Sequence, residues 1–194
     1  MHLREQKILN LVKQADPLNP LSYVRDIVKD YARKKLDQYL LHFDELEICS
    51  YGPTSITKGN VDADVMIISE AVSEEQLKLG KDIVYPLEGT RAFEMLKKVL
   101  EYFHVNQEEI FYMNVVNCFP HKVVDGKVLP RTPSKKEVES YRVFLEYAID
   151  LVRPSLIILL GSVPLNVFKK GSITKARGEW IDVRGIPAMP TYHP

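Results

Sequence analysis

Cysteine is scarce in this chain. Cys49 and Cys118 are the two cysteines among 194 residues, which is no disulfide framework and, by itself, no metal site. A reduced, cytoplasmic setting is the default expectation. An excess of one charge is missing as well, since 26 Lys and Arg balance 26 Asp and Glu. That balance neither demands nor excludes a nucleic-acid partner, because the placement of charge decides and not its sum. No apolar run approaches the length of a membrane span, and Met1-His2-Leu3-Arg4-Glu5-Gln6 lacks the apolar core of a signal peptide. Internal repeats and low-complexity tracts are absent, so repeat and fibrous architectures are excluded.

What is present is an ordinary globular composition, 45% apolar and 27% charged, organised around Asp64-Val65-Met66-Ile67-Ile68-Ser69-Glu70-Ala71. A short β-branched run that stops at a carboxylate reads as a strand buried on both faces of a parallel sheet. Ligands of open α/β sheets sit outside the carboxyl ends of the strands, which is where Glu70 falls. The plain alternative is a strand-to-helix turn with a solvated acidic cap. Further strands are expected at Ile110–Val116 and Ser155–Leu160, with a hairpin around Arg184-Gly185. Helices are expected near Met1–Ala15, after Ser22 as a cap, after Thr90 with Phe93, Leu96, Val99 and Leu100 buried, and over Ser134–Val152, where Ser134 and Glu137 form a capping box. Leu46–Ser50 is a short strand or a helix end. Leu77–Gly89 reads as a long loop, and His121–Pro133 as a polar loop turning at Asp125-Gly126. Alternating strands and helices predict a three-layer α/β/α sandwich with a central, mostly parallel four-stranded sheet. The expected organisation is a helical extension over 1–45 and the α/β domain over 46–194. Four strand ends, at Ser69-Glu70, Asn114–Cys118, Gly161-Ser162 and Tyr192-His193, share one sheet edge and can converge.

From about Gly59 to Pro194 these pieces, in their order and spacing, resemble the uracil-DNA glycosylase superfamily, and within it the fourth family, which usually carries an iron–sulfur cluster. The resemblance rests on Ala63-Asp64-Val65-Met66, Asn114-Val115-Val116-Asn117-Cys118-Phe119-Pro120, Arg131-Thr132-Pro133, Pro154–Ser162, Ile173–Gly178 and Pro190-Thr191-Tyr192-His193-Pro194. It implies base excision from DNA, with the deoxyuridine extruded into a pocket and its N-glycosidic bond hydrolysed. By that resemblance Asn114 reads the uracil edge, His193 donates to O2 as charge builds on the leaving base, and Glu70 with Ala71 forms the loop near uracil and water. Ser162 and Arg177 stand at positions near the phosphate backbone. Read from the residues alone, Asn114 is a strand-end asparagine bonded to backbone, His193 a packed histidine, and Lys169, Lys170, Lys175 and Arg177 a solvated face.

Three departures accompany the match. The family's Gly-Glu-Ala-Pro-Gly stands here as Ser69-Glu70-Ala71-Val72-Ser73, and a further acidic position falls at Gln76. The aromatic ring expected against uracil falls at Leu87, with Tyr85 as a possible substitute; both are otherwise loop anchors. Of the cluster ligands, Cys118 matches one, Tyr141 falls at the next, His42 and Glu45 stand near the remaining pair, and Cys49 is off register. The expectation is therefore no cluster, no metal and no cofactor, with Cys118 a buried free thiol and the N-terminal helices in the cluster's structural role. An alternative reading is an inactive DNA-binding or interaction module of a larger replication protein such as a phage DNA polymerase, since the sequence stops directly after the second motif. A third is a small-molecule- or nucleotide-binding α/β protein.

Overall fold

The structure, a computed structural model, describes residues 20–42 and 51–194. In chain order its elements are α1 (Pro20–His42), β1 (Thr54–Ser55), β2 (Val65–Ala71), α2 (Glu74–Leu77), β3 (Ile83–Val84), α3 (Arg91–Tyr102), β4 (Ile110–Val116), β5 (His121–Val124), β6 (Lys127–Pro130), α4 (Lys135–Val152), β7 (Leu156–Leu160), α5 (Ser162–Phe168), α6 (Ile173–Ala176), β8 (Ile181–Val183) and β9 (Ile186–Thr191). The expectations at Met1–Ala15 and Leu46–Ser50 fall outside the described residues.

The central sheet runs β4-β2-β7-β9-β8. Its first four strands are parallel, and β8 pairs antiparallel with β9. The sheet thus has five strands where four were expected. The added one is the first arm of the Arg184-Gly185 hairpin, whose alternation was too short to register as a sheet member. Strand β4 is buried along its whole length, as a parallel strand covered on both faces requires. Alternate residues of β2 serve opposite faces. Met66 and Ile68 join a cluster with Leu36 and Leu40 of α1, Tyr141 and Leu145 of α4, and Leu165 of α5. Ile67 packs instead with Tyr112, Leu100 and Leu87, under Phe93 and Leu96 of α3. These two clusters are the two helical layers of the sandwich.

Helix ends follow the local sequence closely. Thr90 accepts from Phe93 N, and Ser134 and Glu137 form the reciprocal box. Pro20 opens α1, its fixed φ suited to a first turn, so Ser22 lies inside the helix rather than capping it. Val99 is 47% exposed, facing outward where a buried position was expected. Helix α1 is tied to the sheet layer by Asp37, whose carboxylate accepts from Thr57 N at 3.1 Å and from Thr57 Oγ1 at 2.6 Å.

Two expected loops carry structure. His121–Pro130 is a β-hairpin, β5 with β6. Its turn residues Asp125 and Gly126 have φ of 51° and 73°, the pair of positive values that a two-residue hairpin turn needs. Within Leu77–Gly89, β3 pairs in parallel with β1. Both pairings join segments that single-strand periodicity does not connect.

Candidate active site

The in-register pairs Ser69↔Asn114 and Leu160↔Thr191 bring the strand ends to one edge. His193 lies just past β9 and meets β2 there, with Nε2 3.3 Å from Ser69 Oγ. Its Nδ1 lies 3.1 Å from Pro194 O. The tautomer with its proton on Nδ1 satisfies both contacts, Nε2 then accepting from the Ser69 hydroxyl. Nε2 becomes a donor when the ring gains a proton or exchanges tautomers. Gly161 lies beside this contact. A Cβ built there would stand 3.4 Å from His193 Cβ, and its φ of +94° is one that L side chains rarely adopt.

Two cavities open at this edge. One, of about 270 Å³, is lined by Glu70, Phe119, Pro130, Arg131 and His193. The other, of about 450 Å³, is lined by Gln76, Leu87, Thr90, Met95 and His193. Ala71 and Ser73 border both. Glu70 is half-buried, and no described group hydrogen-bonds its carboxylate. Burial pushes its pKa up from the ordinary 4.5, and the nearby His193 works against that rise. Raised basicity of a carboxylate beside a histidine suits proton transfer with water.

The loop after β2 is held by its polar residues. Ser73 Oγ accepts from Gln76 N, and Gln76 Oε1 accepts from Ser73 N, both at 3.2 Å. Gln76 Nε2 donates to Tyr85 O at 2.7 Å. Gln76 is thus a buried clamp across the loop. Glu74 pairs with Lys78, and Glu75 takes the side chain and backbone N–H of Arg91. Tyr85 is 38% exposed with Lys58 Nζ 5.4 Å from its ring centroid, so it stands outside the cavity. Leu87 is buried and lines it. Its φ is 62°, uncommon for a side-chain-bearing residue. The turn is held by Leu87 O, which accepts from Thr90 Oγ1 at 2.6 Å and from Thr90 N at 3.2 Å.

On the other side, Arg131 grips Glu137 through two hydrogen bonds of 2.6 and 2.8 Å and donates to His121 O at 2.7 Å. This joins the hairpin to the start of α4. No role for Ser69 was legible in the sequence, because its partner His193 is distant in the chain; Gln76 stood out there only as a departure from an acidic position, and Arg131 only within the Arg131-Thr132-Pro133 match.

Asn114 is fully buried and is absent from the lining of either cavity. Its place in β4, two residues after Tyr112, puts it on the Leu87 side of the sheet. Ser162 lines a separate groove with Lys135, Asn166 and Lys170. Arg177 lies exposed, its guanidinium 4.8 Å from the centroid of the Tyr192 ring next to His193. The structure therefore brings Glu70, Ala71, Leu87 and His193 together, sets Asn114 beneath, and leaves Ser162 and Arg177 on the flanks.

Cys118 is disulfide-bonded, which corrects the expected free thiol. Pairing depends on spatial reach, which spacing alone does not show. Cys49, the chain's one other cysteine, lies outside the described residues, as do the side chains of His42 and Glu45. Tyr141 is a buried phenol in the main core. A bonded sulfur and a core phenol do not suit a four-iron cluster, which needs thiolates, and no step is derived through one. No group of three His, Cys, Asp or Glu among the described residues is arranged to hold a metal ion.

Comparison with known proteins bears on the whole edge. Residues 56–194 match the family model of the uracil DNA glycosylase superfamily. A type-4 uracil-DNA glycosylase of Thermotoga maritima is 33% identical over 72% of this chain and 68% of its own length. Those of Sulfurisphaera tokodaii and Saccharolobus solfataricus are 30% and 31% identical over 71% of this chain, covering 62% and 63% of theirs. The chain thus spans about two thirds of the length of these curated relatives. The matched segment takes in every strand of the central sheet and the cleft at its carboxyl edge, and on that extent the chain belongs to the uracil DNA glycosylase superfamily.

Proposed function

We propose that this protein binds DNA, flips a deoxyuridine into the cleft and hydrolyses its N-glycosidic bond, the first step of base excision repair. The observation that carries the reading is the pairing of Glu70 and His193 in one cavity at the carboxyl edge of a superfamily fold. The larger cavity takes the base, against Leu87 and above Asn114. The smaller one takes the sugar and the attacking water. Glu70 orients the water and draws its proton as oxygen bonds to C1′. The C1′–N1 pair leaves on the base, and His193 donates to the oxygen where that charge collects. A donor placed where charge develops supplies roughly 10²–10³ in rate. Ser162 and Arg177 take the flanking phosphates, with Lys135 and Lys170 near the first.

A cytoplasmic setting goes with this reading. No helix among the described residues is long and apolar enough to cross a membrane. The Cys118 disulfide is the one feature a reducing compartment does not favour. A second reading, DNA binding without catalysis as part of a larger replication protein, draws on the first-motif loop, where Gln76 spends both ends of its amide on backbone.

The deciding experiment is release of uracil from a singly substituted oligonucleotide, single- and double-stranded, with alkali to reveal abasic sites. The full chain should cleave, and Glu70→Gln and His193→Ala should each lose at least about 100-fold. A folded wild type that binds DNA and releases nothing would establish the second reading instead.

A further inference from the structure

Buried polar groups crowd the end of β4. Asn114 Oδ1, both ends of the Asn117 amide and the Tyr112 hydroxyl have no partner among the described residues. Burial alone pushes the Tyr112 pKa up to about 12. Buried polar atoms in native folds are nearly always paired, so a cluster of unpaired ones marks a place for something else.

One described group holds the Asn114 side chain. Ser55 Oγ accepts from Asn114 Nδ2 at 3.1 Å. Ser55 is itself fully buried, and its backbone is fixed from two sides. Its N–H donates to Asn117 O at 2.8 Å, and it pairs with Val84 across β1 and β3.

The consequence follows from amide chemistry. A carboxamide offers an oxygen and two N–H groups, one beside the oxygen and one pointing away. With one N–H given to Ser55, the free oxygen and the second N–H remain. That pair complements a ring N–H next to a carbonyl, the edge of uracil. Turning the amide over exchanges oxygen for nitrogen and complements cytosine, whose ring nitrogen accepts and whose amine donates. Orientation of one side chain therefore separates the two bases.

We propose that Ser55 is a specificity-determining positioning residue, which holds the Asn114 amide turned toward bases that carry a ring N–H beside a carbonyl. The assignment rests on the glycosylase reading above and adds a residue to it. Ser55 stands one position before the matched segment, which begins at residue 56.

The test compares wild type, Ser55→Ala, Ser55→Thr, Asn114→Ala and the double variant Ser55→Ala/Asn114→Ala. Single-turnover release is measured from oligonucleotides that differ only in uracil or cytosine at one site. Ser55→Ala should lower uracil release about tenfold, the scale of one lost hydrogen bond, and narrow the uracil-to-cytosine ratio. Ser55→Thr, which keeps the hydroxyl, should restore both. In the Asn114→Ala background the serine change should have no further effect. Binding of oligonucleotides carrying non-cleavable 2′-fluoro analogues of deoxyuridine and deoxycytidine reads the same preference without chemistry. Wild-type preference for the uracil analogue, lost in Ser55→Ala, is the expected result. A Ser55→Ala protein that keeps the wild-type ratio, or a loss that persists undiminished beside Asn114→Ala, overturns the assignment. A wild type that prefers the uracil analogue yet releases no base would refute the catalytic reading and leave Ser55 standing. Equal wild-type affinity for the two analogues would refute Ser55 alone, provided uracil is still released.

Discussion

The two halves of the cleft are built from different materials. The larger half is walled mostly by neutral groups, with Gln76 and Thr90 bonded to backbone carbonyls along a single loop, and its two charges, Glu75 and Arg91, are spent on each other. The smaller half is walled by charge, with Glu70 unbonded and Arg131 locked to Glu137 across the foot of a hairpin. The pleat of β2 makes this possible, because Ser69 and Glu70 point to opposite faces. One side can thus be shaped for a flat neutral base and the other for a proton and an anion, with His193 bordering both.

Variants can break that contrast in graded steps. The largest effect belongs to the shared residue. His193→Ala should cost about 10²–10³ in uracil release with little change in melting temperature, read by single-turnover cleavage and calorimetry. Next is the charged wall. Arg131→Ala removes two hydrogen bonds from Glu137, whose side chain is 6% exposed, and should lose roughly 1.5–3 kcal/mol in denaturant unfolding, the scale of hydrogen bonds to a charged group. On the neutral wall, Gln76→Ala should cost less, about 1–2 kcal/mol, and loosen the turn that carries Leu87, seen as faster amide exchange over residues 73–90. If Gln76→Ala destabilises more than Arg131→Ala, the contrast between the walls is wrong.

The smallest effect has the opposite sign. Burial raises the Glu70 pKa above its ordinary 4.5, so at neutral pH the folded state carries a carboxylate that the unfolded chain solvates better. Glu70→Gln should then stabilise the fold at pH 7, by less than about 1 kcal/mol for this half-exposed group. The gain should vanish as pH falls below 4.5, where the wild type is protonated in both states. A variant less stable than wild type at pH 7 would mean that the carboxylate is structural.

Features set by neighbours in the chain were legible in the sequence. The Ile110–Val116 strand, the Thr90 cap and the Ser134–Glu137 box each depend on residues within one or two turns. The cleft residues Glu70, Ala71, Leu87 and His193 were legible through strand ends and family resemblance. Features set by distant partners were not. The β1–β3 pair, the Cys118 disulfide and the Ser55–Asn114 contact join segments that periodicity treats separately. The β5–β6 hairpin was missed although Val123, Val124, Val128 and Leu129 are apolar, since two largely exposed strands need no apolar alternation.

The clearance at Gly161 also has a use beyond this molecule. A methyl group there would sit in ordinary contact with His193 Cβ, but the backbone twist of +94° penalises any L residue. Position 161 and position 193 are therefore not independent letters. In a screen of uncharacterised sequences of this fold, a histidine after the fourth parallel strand has its present setting only where glycine follows the third. A bulky residue at that glycine would mark the histidine as displaced, whatever the rest of the motif spells.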